Sequence, residues 1–331
     1  MKILAVDDDQ IALDLLDVAL RSAGYHDVSL ALSGQGALEA IAAASRPFDC
    51  FLLDIQMPGM DGIELCGRIR SLAQYRAAPI LMITAMKDRS FIDGAFAAGA
   101  MDYVSKPFDP LELGVRMRIA DSLVHERRVS NKKIFAASNG VHQKDLVPEF
   151  GLGDAIELAE VPRMVGKLAV ENYLLQLSRG QVFQSSAVAF GIENFEAIFA
   201  RATPTEMYGI LTDVADAIAD CFKRTSYLMT YNGFGEFVCV TKRSDPILSE
   251  SLESSVQWSV EDMNLVYESG SPCGVSVIMG DPQTASLWSA GHPLRLIDDS
   301  LVSVAERRLT ARTSPSGSVV DRIARRFLKA G

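Results

Sequence analysis

Much of what this chain of 331 residues can be is narrowed by what it lacks. It has no excess of positive charge. Lysine and arginine number 32 against 42 acidic residues, a formal net charge of −10, whereas a nucleic-acid footprint needs a basic face. No apolar run approaches the ~20 residues that span a bilayer. The amino terminus runs straight into a strand pattern, with no signal peptide. Cysteine is sparse: Cys50, Cys66, Cys221, Cys239 and Cys273 are scattered and form no CxxC pair. Reduced core thiols in a cytosolic protein are the expectation. The four histidines, His26, His125, His142 and His292, show no metal spacing. A hydrophobic content of 48% with 22% charged residues suits a soluble globular chain, long enough for two domains.

What is present is organised around Phe51-Leu52-Leu53-Asp54-Ile55-Gln56-Met57-Pro58-Gly59-Met60-Asp61-Gly62. An apolar run ends in one carboxylate and a Pro/Gly turn follows. Such a run predicts a strand buried on both faces of a parallel sheet. Its last residue then falls at the carboxyl edge, where open α/β sheets place their chemistry. Three other runs end alike. Residues 1–6 lead into Asp7-Asp8-Asp9, residues 79–83 into Thr84, and residues 102–105 into Lys106-Pro107. Three acids, a hydroxyl and an ammonium are thereby expected at one edge.

Those residues resemble the receiver domain of bacterial two-component response regulators over roughly 1–122. The resemblance rests on VDDD at 6–9, LLDIQMPGMDG at 52–62, ITA at 83–85 and KPF at 106–108. It implies a flavodoxin-like, doubly wound parallel fold that accepts a phosphoryl group on Asp54. The chemistry of the residues agrees. Clustered carboxylates repel, and burial disfavours their charge; Mg²⁺ resolves the conflict with a few carboxylates plus water and phosphate oxygens. Asp7 and Asp8 are expected to hold Mg²⁺ beside Asp54, with the Gln56 backbone carbonyl as a further ligand of the family's type. Asp54 is the expected nucleophile. Thr84 would donate its hydroxyl to the phosphoryl group and Lys106 would supply a point charge, while small Ala85 leaves the site open. The resemblance also implies a cis peptide before Pro107, and Tyr103 stands where the family carries its switching aromatic; an ordinary strand tyrosine is the alternative. Asp9 reads as a helix cap.

Beyond the receiver pattern, a helix from Pro110 keeps an apolar spacing past the usual end, so 123–153 is expected to be a helical extension and linker. Residues 154–312 predict helix 162–179, strand 186–192, helix 205–222, strands 226–231 and 236–241, helix 250–268, strand 274–279 and helix 298–312: an α+β sheet covered by helices. Asn232-Gly233 between two apolar strands is a hairpin signal. Residues 313–331 predict a linker and then a basic amphipathic helix, 319–329, which docks on the protein itself or on a second subunit.

The order of elements in 154–312 is similar to the GGDEF domain of diguanylate cyclases. The residues carrying this are Val188 to Phe195 and Gly233-Phe234-Gly235-Glu236-Phe237. The departures from that family are larger than the match. Phe234 stands where the second glycine lets backbone approach the triphosphate, and Gly235 replaces a carboxylate. Gly191 matches the first metal-binding aspartate. Phe199 and Tyr208 fall near the positions that read guanine. Of the inhibitory Arg-x-x-Asp motif, Arg224 survives and Tyr227 replaces the acid. Metal is needed to neutralise a triphosphate, yet Glu236 stands almost alone, with Glu193 as a displaced remnant. The expectation is a cytoplasmic response regulator whose output domain is catalytically inactive. Its partners would be a histidine kinase or phosphotransfer protein, a second copy at least when phosphorylated, and an unidentified downstream protein. The alternatives are an active diguanylate cyclase with Glu193 and Glu236 sharing the metal, and a cyclic di-GMP or nucleotide receptor carried by Arg224.

Overall fold

The computed structural model describes residues 1–85, 89–137, 150–158, 161–245, 248, 251–285 and 292–313. The amino-terminal half alternates strand and helix: β1 (Lys2–Val6), α1 (Gln10–Ser22), β2 (Asp27–Ala31), α2 (Gly34–Ala43), β3 (Cys50–Asp54), α3 (Gly62–Ser71), β4 (Ile80–Thr84), α4 (Arg89–Ala97), β5 (Asp102–Ser105) and α5 (Pro110–Ala137). Its sheet is parallel throughout, in the order β2-β1-β3-β4-β5. Successive strand residues point to opposite faces, so an all-apolar strand feeds two cores. Leu4, Phe51, Leu53, Ile80 and Met82 meet Ala37, Ile41, Leu65 and Ile69 of α2 and α3 on one side. Ile3, Ala5, Leu52, Leu81 and Ile83 meet Leu13, Leu16, Leu113 and Met117 of α1 and α5 on the other. Helix starts are capped as their sequences require: Asp9 accepts from the Ile11 amide at 2.9 Å, and Asp61 from the Glu64 amide at 2.7 Å.

The second half comprises α6 (Lys167–Gln176), α7 (Arg179–Phe183), β6 (Ser185–Ile192), α8 (Phe195–Arg201), α9 (Pro204–Phe222), β7 (Tyr227–Gly233), β8 (Glu236–Lys242), α10 (Leu252–Asp262), β9 (Val277–Met279), β10 (Gln283–Thr284) and α11 (Arg295–Thr313). The strands run β10-β6-β8-β7, with β9 also on β6, all antiparallel.

Several elements depart from the sequence reading for local reasons. The expected helix 162–179 is broken at both ends. Arg163 turns at a left-handed φ of 57° and Met164 then bridges β7: the Met229 amide donates to the Arg163 carbonyl at 3.0 Å and the Val165 amide to the Met229 carbonyl at 2.9 Å. At the far end, Ser178 and Gln181 form a capping box that starts α7 afresh. The expected helix 250–268 ends at Asp262, since Asn264 is left-handed at φ 49°, a region asparagine tolerates. Short α8, β10 and a 3₁₀ turn at Ala73–Tyr75 gave no periodic signal of their own. Residues 150–153, expected as linker, pack on the second sheet's hairpin: the Phe234 amide donates to the Leu152 carbonyl at 2.8 Å. The expected turn at Asn139-Gly140 and the helix 319–329 lie outside the described residues. No described helix is long and apolar enough to cross a membrane.

The two halves meet across α4, β5 and α6. Ile92 and Phe96 of α4 share one core cluster with Val170, Leu174 and Val182, and Phe96 sets its ring edge-on to Tyr173 with centroids 5.5 Å apart. Polar contacts surround this seam. Arg89 donates to the Gln181 carbonyl at 3.2 Å, Tyr173 Oη at 3.2 Å and Ser185 Oγ at 3.0 Å. Tyr173 Oη donates to Asp93 at 2.8 Å, and Asn172 Nδ2 to the Met101 carbonyl at 3.1 Å. Phe96 is fully buried, so Phe96→Ala is expected to cost about 3–5 kcal/mol. Urea unfolding of the full chain checks this; a loss under about 1 kcal/mol contradicts a packed seam.

Candidate functional site

The parallel register delivers the polar strand ends to one edge. Val6 pairs with Leu53, Asp54 with Ile83 and Thr84 with Ser105, so Asp7, Asp54, Thr84 and Lys106 emerge side by side. Asp7 and Asp54 are 2% and 4% exposed, while Asp8 is exposed. The carboxylate oxygens of Asp7, Asp8 and Asp54 lie within 4.8 Å of one another. Lys106, joined to Pro107 by a cis peptide bond, places its Nζ 2.6 Å from Asp7 Oδ2 and 2.6 Å from Asp54 Oδ1. The Lys106 amide donates to the Thr84 carbonyl at 2.7 Å, which ties β5's end to β4's.

The turn after Asp54 has no room for a side chain. A Cβ on Gly62 would sit 2.0 Å from the Asp54 carbonyl oxygen, and the Gly62 amide closes the turn on the Ile55 carbonyl at 2.9 Å. The Gln56 backbone amide hydrogen-bonds the Asp54 carboxylate. Ala85 is exposed beside buried Thr84. Tyr103 is half-buried and touches both the α3 side of the core and the seam with the second half.

The electrostatics are those of an under-neutralised acid cluster. Burial pushes the Asp54 carboxyl above its ordinary range; the hydrogen bond and charge of Lys106 pull it down, and Asp7 pushes it further up. Burial alone would lower the Lys106 ammonium, but its bonds and charges to Asp54 and Asp7 prevail and raise it. One ammonium against three converging carboxylates leaves negative charge uncompensated. An all-oxygen, partly open donor set of this kind fits a hard divalent cation.

The second half brings together a different group. Gly191 faces Glu236 across β6 and β8, and between them lies Arg308 of α11, which carried no signal in the sequence. Arg308 Nη1 is 2.9 Å from Glu236 Oε1, and its Nη2 donates to the Phe234 and Gly235 carbonyls at 3.2 and 3.4 Å. A Cβ on Gly191 would meet that Nη2 at 2.6 Å. Burial raises the Glu236 carboxyl and Arg308 opposes it. Glu193 does not join them through its carboxylate in the described contacts: it accepts from Ser276 Oγ at 3.1 Å. Phe237 is buried in the sheet, and Arg224 is exposed ahead of β7.

Comparison with known proteins agrees with the first half of this geometry. Residues 3–118 match the family model for the response regulator receiver domain. They are a receiver domain. The chain is similar to the transcriptional regulatory protein YvrH of Bacillus subtilis, 39% identical over 116 residues, covering 35% of this chain and 47% of that one. It is also similar to the response regulator PleD of Caulobacter vibrioides, 32% identical over 183 residues, covering 52% of this chain and 38% of that one. The chain thus spans about half or less of these relatives' length. Among solved structures, a response regulator from Chloroflexus aurantiacus is 40% identical, covering 38% of this chain and 97% of that one with a TM-score of 0.34. The chemotaxis protein CheY4 of Vibrio cholerae is 34% identical, covering 36% and 97% with a TM-score of 0.34.

The raised Asp54 carboxyl has a consequence for stability. The folded receiver domain takes up the Asp54 proton more readily than the unfolded chain does. Stability therefore falls as pH climbs from the ordinary carboxylate range through the raised folded value. In metal-free buffer, Asp54→Asn is expected to melt above wild type at neutral pH, with the gap closing as pH drops toward that range. Thermal unfolding across a pH series reads it; a variant that melts below wild type at neutral pH contradicts the burial-dominated balance.

Proposed function

We propose that the chain is a response regulator in which a phosphoryl group on Asp54 controls the association of a non-catalytic second domain. The observation that carries this is the seam. The receiver's α4 and β5 are covered by α6, and Tyr103 of β5 packs against both the receiver core and the core cluster at the seam. A change at the acid cluster therefore has a short path to the surface that holds the second domain.

The residues suit the chemistry. An Asp54 oxygen would attack the phosphorus of a phosphohistidine on a histidine kinase or phosphotransfer protein. The new P–O bond forms as the P–N bond breaks, and the imidazole leaves with a proton. Asp7, Asp8, Asp54 and the Gln56 carbonyl would hold Mg²⁺, whose charge offsets that of the phosphoryl oxygens. Lys106 would then turn from Asp54 to the phosphoryl group, and the Thr84 hydroxyl would donate to it. Movement of Thr84 toward that group frees space beside β5, into which Tyr103 can rotate.

Loss of catalysis in the second domain is supported by Arg308. In the resemblance to diguanylate cyclases, Gly191 and Glu236 occupy metal-binding positions, and here a guanidinium fills the space between them. A divalent cation placed there would meet a fixed positive charge. The hairpin tip is closed from the other side as well. Gly233 lies so close to Gly153 that a Cβ would be 2.4 Å from the Gly153 carbonyl oxygen. An active cyclase using Glu193 and Glu236 would need both obstacles removed, and a nucleotide receptor rests on exposed Arg224 alone. In this reading the second domain is a GGDEF-like platform, and the output is altered association with itself or with a downstream protein.

Purified chain with Mg²⁺ and a phosphodonor is expected to gain an acid-stable, base-labile phosphoryl group that is absent in Asp54→Asn. The same phosphorylated protein is expected to form no cyclic di-GMP from GTP, as read by chromatography. Label persisting in Asp54→Asn removes the phosphoacceptor assignment, and product formation removes the non-catalytic one.

A further inference from the structure

The hairpin tip of the second domain is held in a conformation that its residues do not favour. Gly233, Phe234 and Gly235 all have positive φ, at 91°, 52° and 70°. Glycine adopts that region freely, but a phenylalanine there is an outlier that persists only where its surroundings hold it. Two groups hold it here. The Leu152 carbonyl accepts from the Phe234 amide at 2.8 Å. Arg308 Nη2 donates to the Phe234 and Gly235 carbonyls, while its Nη1 donates to Glu236 at 2.9 Å. One carboxylate and two backbone carbonyls thus converge on one positive group, which is the kind of oxygen set a hard cation takes. The Arg308 and Glu236 side chains are each 13% exposed, so water does little to replace this pairing. Gly191 keeps the place open. It pairs with Glu236 across β6 and β8, and a Cβ on it would meet Arg308 Nη2 at 2.6 Å and Nε at 2.9 Å. Glycine inside a strand weakens it and marks a close approach by another group; here that group is the guanidinium.

A divalent cation does not fit between Gly191 and Glu236 while that guanidinium is there. We propose that Arg308 is a built-in cation that takes the structural place of a divalent metal in the second domain, with Gly191 leaving the room it needs. The inference rests on the reading of the second domain as non-catalytic and goes past it. The tip is not left loose by the missing metal; it is clamped, and the segment entering the domain is clamped with it. Leu152 bonds Phe234, and Gly153 lies against Gly233 and the Phe234 ring, where added Cβ atoms would come within 2.4 and 2.7 Å of their neighbours. Arg308 therefore joins α11, the hairpin and residues 150–153 through one side chain. Positions 191 and 308 form one exchangeable unit: glycine goes with arginine, and an acid at 191 goes with a metal ion.

Amide hydrogen exchange of the full chain at residues 232–237, first with EDTA and then with Mn²⁺, tests this. The local readout separates the hairpin from the receiver's own acid cluster, which also suits the ion. Wild type is expected to show the same slow exchange at the hairpin in both conditions. Arg308→Ala is expected to exchange about tenfold faster or more there, because bonds from a charged donor are lost, and residues 150–153 should speed up with it. Adding Gly191→Asp to Arg308→Ala sets a second carboxylate opposite Glu236, and Mn²⁺ is expected to restore slow exchange in that double variant. Arg307→Ala is the control: its side chain pairs with Glu253 at 2.8 Å, and its loss should leave hairpin exchange unchanged. Melting curves check that each variant folds. If alanine at 308 unfolds the domain, Arg308→Lys replaces it and is also expected to exchange faster than wild type, since one ammonium cannot reproduce the fork. Unchanged hairpin exchange in the folded variant overturns the clamp, and a double variant that Mn²⁺ does not slow overturns the exchange of arginine for metal; both outcomes leave the non-catalytic reading in place. Slowing of the wild-type hairpin by Mn²⁺ also overturns the inference, and the cyclic di-GMP assay then decides the reading beneath it.

Discussion

The ammonium of Lys106 lies between two buried carboxylates, and most of the amino-terminal domain exists to put it there. Asp7 and Asp54 could not share one sheet edge uncompensated; repulsion and burial both oppose it. Lys106 offsets part of that charge at 2.6 Å from each, leaving a cluster that remains receptive to further positive charge. A phosphoryl group adds acceptor oxygens and close to two negative charges at the same point. In the proposed function, a phosphoryl group on Asp54 would compete with Asp54 and Asp7 for the Lys106 ammonium. Rearrangement at the edge would then follow from charge placement.

What that rearrangement can do depends on what lies next to it. Thr84 and Lys106 are joined through backbone at 2.7 Å, and Tyr103 shares β5 with the lysine's approach. Beyond Tyr103 is the seam, where Arg89 makes three hydrogen bonds into the second domain. Hydrogen bonds from a charged donor contribute about 1.5–3 kcal/mol each. A full swing between two states needs a differential of about 5.5 kcal/mol. The polar contacts around the seam are therefore of the size that one covalent charge change can tip, working against the apolar packing of Ile92 and Phe96 beneath them.

The receiver half was legible because four of its candidate site residues end an apolar run or directly follow one. Sequence order, strand pattern and strand-end chemistry agreed at Asp7, Asp54, Thr84 and Lys106, and the parallel register then left little freedom in where they met. Asp9 was legible as a cap for the same reason. The second half was harder because its decisive contact is long-range. Gly191 looked like a lost aspartate; only the fold shows that Arg308, far along the chain, fills the space a side chain there would need. Helix ends failed where a neighbour intervened, as when Met164 bridged to Met229 of β7 after a left-handed turn at Arg163 against their helical pattern. The seam itself left no trace in the sequence, since Arg89 and Tyr173 are ordinary residues on ordinary helices until the domains pack.

The central claim is that the state of Asp54 is felt at the seam, and amide hydrogen exchange of the full chain measures it directly. With Mg²⁺ and beryllofluoride, the amides around Asp54 and Thr84 should slow as the site is filled. The account predicts that α6, residues 167–176, and the facing end of α4 exchange faster at the same time, as their shared contacts loosen. Protection at the site with unchanged exchange across α6 and α4 would contradict it: the second domain would then be docked without being informed.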